Sequence, residues 1–257
     1  MPFAGEIHYQ GSLNSSEGRD PLILIHGAGG SYLYWPPEIR HHADGGILAI
    51  DLPGHGESAG EGMESIEAYA HSLLEFTDNL EIDQAVLAGH SMGSAIAQRM
   101  SLDYPDRVKG LILVGAGAKL GVHPQLIEDC SSADTYPKAV SQILEWSFSQ
   151  QADQKLVRLA GERMKEISPT VLTLDFEACN AFDNREHAGD IKQPTLIICG
   201  EEDQMTSVRF SKYLAENIHG SRMEVIPEAG HMVMLEKPED VVQLVDDFMD
   251  EIYAAGN

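Results

Sequence analysis

A serine between two glycines stands where the chain changes character. Residues 85–88 are short and apolar, which predicts a strand buried on both faces of a parallel sheet. Residues 89–93 read Gly-His-Ser-Met-Gly, and the apolar spacing after them predicts a helix that ends before Pro105. In this context the pattern predicts that Ser91 is a nucleophile and that the amide of Met92 helps to bind an oxyanion. The pattern alone also occurs in ordinary turns, so the assignment depends on the flanking strand and helix.

A serine hydroxyl is a weak nucleophile at neutral pH, so it needs a histidine as base and a carboxylate to orient that histidine. Asp203 and His231 each follow a predicted strand, and they supply these two residue types in the order Ser, Asp, His. The structural alternatives are that Asp203 caps the helix starting near Val208 and that His231 is an ordinary loop histidine. Other carboxylates near the same strand ends are Glu201, Glu202 and Glu228.

Two further loops follow predicted strands. The segment HGAGGS at 26–31 lacks the lysine of a phosphate-binding loop, and we predict that its backbone directs an amide at a bound oxyanion. Asp51 comes directly before a Pro-Gly turn, which favours a role in stabilising that turn over a catalytic role.

The order of apolar runs predicts an α/β architecture. Strands are expected at 21–25, 46–50, 85–88, 108–114, 194–200 and 222–226. Most of them alternate with amphipathic helices, which predicts right-handed crossovers in a mostly parallel sheet. An edge strand is expected at 6–11, followed by a polar turn at 13–20.

Between 122 and 188 the alternation stops, and only helix-compatible segments occur. We therefore predict a core domain formed by 1–121 and 189–257 and a helical insertion formed by 122–188. The insertion is expected to provide substrate specificity. Its replacement by a short linker is expected to leave Ser91 reactive.

Composition narrows the class of protein. The 257 residues suit one large domain, and 17 Lys+Arg against 41 Asp+Glu give a net charge of -24, which disfavours nucleic acid and anionic membranes as partners. No basic leader and no apolar stretch of about 18 residues occurs, so we expect a cytoplasmic protein. The three cysteines and the scattered histidines lack close metal-binding spacing, so neither a disulfide framework nor a metal or other cofactor is expected.

Five segments together resemble the α/β-hydrolase family: HGAGGS at 26–31, DLPGHGES at 51–58, GHSMGS at 89–94, GEEDQMTS at 200–207 and GHMVMLEKPE at 230–239. The resemblance implies an α/β-hydrolase fold, with a mostly parallel central sheet flanked by helices and the insertion as a helical cap. It also implies a catalytic triad of Ser91, His231 and Asp203, and an oxyanion hole made by the amides of Ala28 and Met92. A serine nucleophile separates the chain from the related dehalogenases and epoxide hydrolases, which use aspartate.

One triad on one fold supports many reactions, so the substrate is predicted only by class. We expect hydrolysis of a small carboxylic ester; an enol-lactonase, a thioesterase and a C–C bond hydrolase are alternatives on the same triad. A receptor-like hydrolase, whose cap binds a protein partner, is an alternative of another class. The chain is expected to be a monomer or homodimer that binds a small molecule. Four aromatic residues of the insertion are candidates to line an apolar pocket, with packing in the core as the alternative: Trp146, Phe148, Phe176 and Phe182.

Overall fold

The sheet that positions the predicted site has eight strands in the computed structural model, which describes residues 2–13, 19–41 and 46–254. The strands are β1 (Phe3–Ala4), β2 (Ile7–Ser12), β3 (Leu22–Ile25), β4 (Ile47–Ile50), β5 (Ala85–His90), β6 (Val108–Val114), β7 (Thr195–Gly200) and β8 (Arg222–Ile226). Their order is β1-β2-β4-β3-β5-β6-β7-β8. The pairs β1–β2 and β2–β4 are antiparallel, and every other neighbouring pair in this order is parallel. The predicted α/β-hydrolase fold is confirmed.

Continuous apolar runs form the centre of this sheet. Every residue of β3, β4, β5 and β7 is buried, as expected for parallel strands covered on both faces. The predicted strand positions agree with the observed ones to within two residues. The predicted edge strand at 6–11 is displaced from the edge, because β1 pairs along its outer side. The predicted polar turn at 13–20 lies mostly outside the described residues.

Helices cover both faces of the sheet. They are α1 (Pro37–Arg40), α2 (Ile66–Asn79), α3 (Met92–Asp103), α4 (Pro124–Cys130), α5 (Tyr136–Ser147), α6 (Gln154–Met164), α7 (Pro169–Ala181), α8 (Val208–Asn217), α9 (Val233–Glu236) and α10 (Pro238–Ala254). The apolar stripes of α2 and α3 are part of one core cluster, and those of α1 and α10 are part of a second cluster on the other face. At the start of α2 the hydroxyl of Ser65 accepts a hydrogen bond from the Ala68 amide and so caps the helix.

Four helices, α4 to α7, lie between β6 and β7, where the sequence predicts the helical insertion. The ends of this segment meet at its base, where Lys119 and Asp183 form an antiparallel bridge and the Asn184 amide donates to the Ala118 carbonyl at 2.7 Å. The salt bridge from Lys119 Nζ to Asp183 Oδ2 measures 3.1 Å and joins the same two segments. The insertion therefore leaves and re-enters the core at one place.

Two glycines allow α3 to approach the sheet closely. A Cβ atom at Gly89 would lie 2.1 Å from the Gly93 carbonyl oxygen, and one at Gly93 would lie 2.4 Å from the Ile25 carbonyl oxygen. Backbone atoms cannot move away as a flexible side chain can, so any other residue would displace α3 from β3 and β5. Both glycines are therefore explained by close packing at the turn.

We predict that Gly93→Ala lowers the free energy of unfolding by about 2 to 3 kcal/mol, because the clash outweighs the gain of about 1 kcal/mol in helix propensity. Urea unfolding followed by circular dichroism measures this change. The control is Gly121→Ala, because a Cβ atom there meets no atom within 4 Å. Equal stability of the two variants would contradict the close-packing argument.

Candidate active site

Ser91 occupies a strained turn between β5 and α3. Its backbone angles are φ 52° and ψ -113°, in a region that non-glycine residues rarely adopt. The Ser91 amide donates to the Val114 carbonyl at 2.9 Å, and the Ser94 hydroxyl donates to the Ser91 carbonyl at 2.6 Å. These bonds hold the turn in place, and the serine residue remains partly exposed. Strain at a turn between a strand and a helix is the geometry expected for a nucleophilic serine.

Asp203 and His231 meet beyond the carboxyl ends of β7 and β8. The Nδ1–H group of His231 donates to Asp203 Oδ2 at 2.8 Å, and both residues are buried. This bond places the ring proton on Nδ1, so Nε2 is left as the basic nitrogen. The structure thus brings together the histidine and the carboxylate that the sequence singles out.

The Asp203 carboxylate is held in one orientation by its own loop. Its Oδ1 atom accepts hydrogen bonds from the amides of Met205 and Thr206, both at 2.8 Å, and the Thr206 hydroxyl lies 3.0 Å from Oδ2. Burial raises the pKa of Asp203, but the His231 ring and the hydrogen bonds outweigh burial and hold this pKa below its usual value. Asp203 is therefore a carboxylate at neutral pH. Its predicted alternative role as the cap of α8 is wrong, because Ser207 is the residue at that position.

The three other carboxylates near these strand ends are exposed or bonded to other groups. Glu201 is exposed, Glu202 accepts a hydrogen bond from the Gln150 amide at 3.1 Å, and Glu228 is exposed with Lys237 as its salt-bridge partner at 3.5 Å. Among these residues and Asp203, only Asp203 forms a hydrogen bond with His231 within the described chain.

Asp51 stabilises a loop, as its Pro-Gly neighbour predicts. Its carboxylate accepts hydrogen bonds from the amides of Tyr32 at 2.7 Å and Glu57 at 3.0 Å, and it pairs with His8 Nδ1 at 2.7 Å.

A narrow cavity lies beside Ser91 and is lined mainly by apolar side chains. The lining residues are Gly27, Ala28, Tyr34, His90, Ser91, Ile143, Leu144, Ser147, Phe148, Ala160, Met164, Phe176, Met205, His231 and Met232. Ser91 and His231 both line this cavity, and seven lining residues, from Ile143 to Phe176, come from the insertion. None of the described lining residues is Lys, Arg, Asp or Glu.

Of the four aromatic residues predicted for the pocket, Phe148 and Phe176 line this cavity. Trp146 and Phe182 are absent from the described lining, which corrects that part of the prediction. Phe182 is buried in the core cluster that includes α2 and α3, and Trp146 is partly exposed against the other cluster. Helical spacing does not distinguish a side chain that faces a cavity from one that faces the core.

The amides of Ala28 and Met92 lie on segments adjacent to Ser91. Neither N–H group has a hydrogen-bond acceptor among the described residues. Met92 is the first residue of α3, so its free amide is at the positive end of the helix dipole. Such amides are suited to bind an anion.

His90, directly before Ser91, is a cavity residue that the sequence argument does not identify. Its ring is buried and packs against the His231 ring at a centroid distance of 4.7 Å. Its Nε2–H group donates to the His231 carbonyl at 3.0 Å. Burial and the neighbouring His231 lower the pKa of His90 to about 3, so this ring is neutral and fixes the backbone of His231.

Within 2–13, 19–41 and 46–254, no group of three or more His, Cys, Asp or Glu side chains is arranged to hold a metal ion. The three cysteines, Cys130, Cys179 and Cys199, are buried and unpaired. In the same part of the chain no helix combines the length and the apolar character needed to cross a bilayer.

Both the sequence and the fold of this chain are similar to those of known hydrolases. A model of the alpha/beta hydrolase family matches residues 22–244. A thermophilic esterase of known structure superposes with a TM-score of 0.82 at 29% identity, covering 96% of this chain and 98% of the esterase.

Two curated relatives come from Pseudomonas putida. The 2-hydroxy-6-oxo-2,4-heptadienoate hydrolase is 27% identical, covering 97% of this chain and 95% of that protein. The dihydrolipoyllysine-residue acetyltransferase component of the acetoin cleaving system is 29% identical over 88% of this chain. The chain spans only 62% of the length of that acetyltransferase.

We predict that a fluorophosphonate probe forms a covalent adduct on Ser91 with loss of fluoride, because a serine that a histidine activates attacks phosphorus and Ser91 lines the same cavity as His231. Intact-protein mass spectrometry and peptide mapping measure the adduct. Labelling should be lost in Ser91→Ala and retained in Ser141→Ala, which removes an exposed hydroxyl on α5. An adduct that persists in Ser91→Ala would assign the reactive hydroxyl to another residue.

Proposed function

The chain belongs to the alpha/beta hydrolase family, and from that premise we propose that it hydrolyses a small, uncharged carboxylic ester through an acyl-enzyme intermediate. The observation that carries the proposal is the hydrogen-bonded pair of His231 and Asp203, because His231 lines the same apolar cavity as Ser91. Hydrolysis of an ester requires a nucleophile, a base and a site for the developing negative charge, and this arrangement provides candidates for each.

In the proposed first half-reaction, Ser91 Oγ attacks the ester carbonyl carbon while its proton passes to His231 Nε2. The carbonyl electron pair moves to oxygen, and the amides of Ala28 and Met92 bind that oxyanion. When the carbonyl reforms, the C–O bond to the alcohol breaks, and the alkoxide takes the proton from Nε2. Asp203 keeps the other ring proton on Nδ1 and stabilises the imidazolium.

In the second half-reaction a water molecule replaces the alcohol. His231 Nε2 removes one proton from this water as its oxygen attacks the acyl carbon. The tetrahedral intermediate then collapses, Ser91 Oγ leaves with the proton from Nε2, and a carboxylic acid is released.

The charge of the substrate follows from the cavity lining. A carboxylate transferred into an apolar cavity without a cationic partner loses its hydration, at a cost of several kcal/mol. The described lining contains no Lys or Arg. The 2-hydroxy-6-oxo-2,4-heptadienoate hydrolase acts, by its name, on a carboxylate, so this chain differs from that relative in the substrate it is proposed to accept.

The size of the substrate follows from the cavity volume. The cavity measures about 40 Å³, so it is small. This space suits a short acyl group better than a long chain.

The insertion is proposed to act as a cap. It supplies seven of the lining residues, and these side chains exclude water from the reacting atoms. Contacts with the acyl group are therefore proposed to come mainly from the insertion, and the reacting groups from loops of the core.

We predict that Asp203→Asn lowers kcat by roughly 10⁴, because asparagine favours the wrong tautomer of His231. Steady-state hydrolysis of p-nitrophenyl acetate measures the change. Glu202→Gln is the matched control and should retain kcat within a factor of about two, since surface changes have small effects. Loss of activity in Glu202→Gln with near-normal activity in Asp203→Asn would move the role to Glu202.

Two esters of similar shape and different charge test whether the cavity accepts a carboxylate. Methyl isocaproate and monomethyl succinate have nearly the same shape, because an isopropyl group in the first replaces the carboxylate of the second. We expect kcat/KM to be at least about 100-fold higher for methyl isocaproate, since the unpaired carboxylate must be desolvated. Titration of the released acid measures both rates. Comparable values of kcat/KM would contradict the proposal of an uncharged substrate.

A further inference from the structure

Asp175 of α7 is a fully buried carboxylate that joins the insertion to three segments of the core. Its Oδ2 atom accepts hydrogen bonds from the Gly29 amide and from His55 Nε2, both at 2.8 Å, and its Oδ1 atom accepts one from the Tyr69 hydroxyl at 2.5 Å. Gly29 is in the loop 26–31, and His55 is in the loop after β4. We propose that Asp175 is a positioning residue for the oxyanion site, an inference that rests on the function proposed above.

The charge state of this cluster follows from its hydrogen bonds. His55 Nδ1 faces the Pro53 carbonyl at 3.0 Å and His55 Nε2 faces the Asp175 carboxylate, so both ring nitrogens must donate and the ring is an imidazolium. Burial alone would lower the pKa of His55, but Asp175 and the hydrogen bonds outweigh burial and raise it. His55 and Asp175 are thus a buried ion pair. Such a pair depends on both partners, because removing one leaves an uncompensated buried charge.

The Ala28 amide lies between two peptide groups that are each held in place. The peptide group after Ala28 contains the Gly29 N–H, which donates to Asp175. The peptide group before Ala28 contains the Gly27 carbonyl, which accepts a hydrogen bond from His26 Nδ1 at 2.8 Å. In a trans peptide the carbonyl and the N–H point in opposite directions, so holding the Gly27 carbonyl also sets the direction of the Ala28 N–H.

The two held peptide groups are connected through His55. The His26 ring packs against the His55 ring at a centroid distance of 4.8 Å, and His26 Nε2 accepts a hydrogen bond from the Leu52 amide at 3.0 Å. Burial and the charge of His55 hold the pKa of His26 well below its usual value, so His26 stays neutral and can accept this bond. Asp175 therefore reaches Ala28 by two routes, one through Gly29 and one through His55 and His26.

Helix α7 also confines the loop by direct contact. Gly29 has φ +62°, and a Cβ atom there would lie 2.8 Å from Leu172 Cδ1. The insertion therefore supplies part of the support for the loop 26–31, which contains Ala28. The sequence analysis expects Ser91 to stay reactive when a short linker replaces the insertion. The proposed role of Asp175 adds that the oxyanion site would then lose part of its support.

Asp175→Asn keeps the shape of the side chain but removes the charge that His55 faces. With its oxygen in the place of Oδ2 the amide still accepts from the Gly29 N–H and His55 Nε2, but its NH2 group then faces the Tyr69 hydroxyl. The His55 imidazolium loses its counter-charge, so the bonds that hold the Gly29 amide and His55 become weaker. Loss of an oxyanion donor lowers kcat by about 10² to 10³. A donor that is present but no longer held should cost less, and we expect kcat to fall about 10- to 100-fold while KM changes less than about threefold.

The test compares three variants of the full chain. Asp175→Asn removes the charge, and Tyr69→Phe removes one donor to Asp175. Tyr136→Phe is the control matched to Tyr69→Phe. The Tyr136 side chain is also buried, but its hydroxyl lies within the insertion and donates to the Met164 and Ile167 carbonyls instead of Asp175. Steady-state kinetics on p-nitrophenyl acetate gives kcat and KM, and a phenylboronic acid inhibitor reports the binding of a tetrahedral adduct. Urea unfolding gives the stability of each variant.

The proposal predicts that kcat/KM and the affinity for the boronic acid fall by the same factor, in the order Asp175→Asn, then Tyr69→Phe, with Tyr136→Phe near wild type. A residue that affects stability alone would not change these two quantities in parallel at a temperature where every variant is folded. An unchanged kcat in folded Asp175→Asn would overturn the proposal. If that variant does not fold, unchanged kinetics in Tyr69→Phe would overturn it.

Hydrogen exchange separates this proposal from the proposed function. The amides of 27–30 should exchange faster in Asp175→Asn than in wild type, and this measurement requires no substrate. Faster exchange with a wild-type protein that does not hydrolyse esters would reject the function and retain the contact between α7 and the loop. Unchanged exchange with an active wild type would retain the function and reject the role of Asp175.

Discussion

The close approach of α3 to the sheet is the constraint on which the rest of the site depends. Gly93 places the start of this helix against the Ile25 carbonyl, and Gly89 allows the chain to turn directly after β5. The strained backbone of Ser91 lies between these two glycines, and packing on both sides holds it there. All the other candidate groups are positioned relative to this turn, because they lie on loops at the same end of neighbouring parallel strands.

Buried pairs of aspartate and histidine recur around that turn. Asp51 pairs with His8, Asp175 pairs with His55, and Asp203 pairs with His231. In each pair the carboxylate also accepts at least one backbone amide from a loop, so each pair orders a segment of chain. Of these three histidines, only His231 is among the described residues that line the cavity beside Ser91. Position relative to the serine therefore distinguishes the proposed catalytic pair from the two pairs that support loops.

The insertion has two physical roles in this arrangement. Its apolar side chains form much of the cavity wall, and Asp175 carries a negative charge into the core, where three donors satisfy it. The first role supports the proposal of an uncharged acyl group, because no Lys or Arg is among the described residues of the wall. The second role ties the loop that contains Ala28 to a helix outside the sheet, so the proposed substrate contacts and the proposed oxyanion site both depend on the insertion.

The sequence by itself predicted seven of the eight strands, the helical insertion and the strand-turn-helix at Ser91, and it singled out Asp203 and His231 as partners for that serine. These features depend on local patterns, namely apolar runs, glycines at a sharp turn and polar residues directly after strands. Only the tertiary structure decided that Phe148 and Phe176 face the cavity while Trp146 and Phe182 do not, and that Asp175 meets Gly29 across 146 positions of chain. The reason is physical: the direction of a helical side chain and the partner of a buried charge depend on packing between distant segments, which no local pattern encodes.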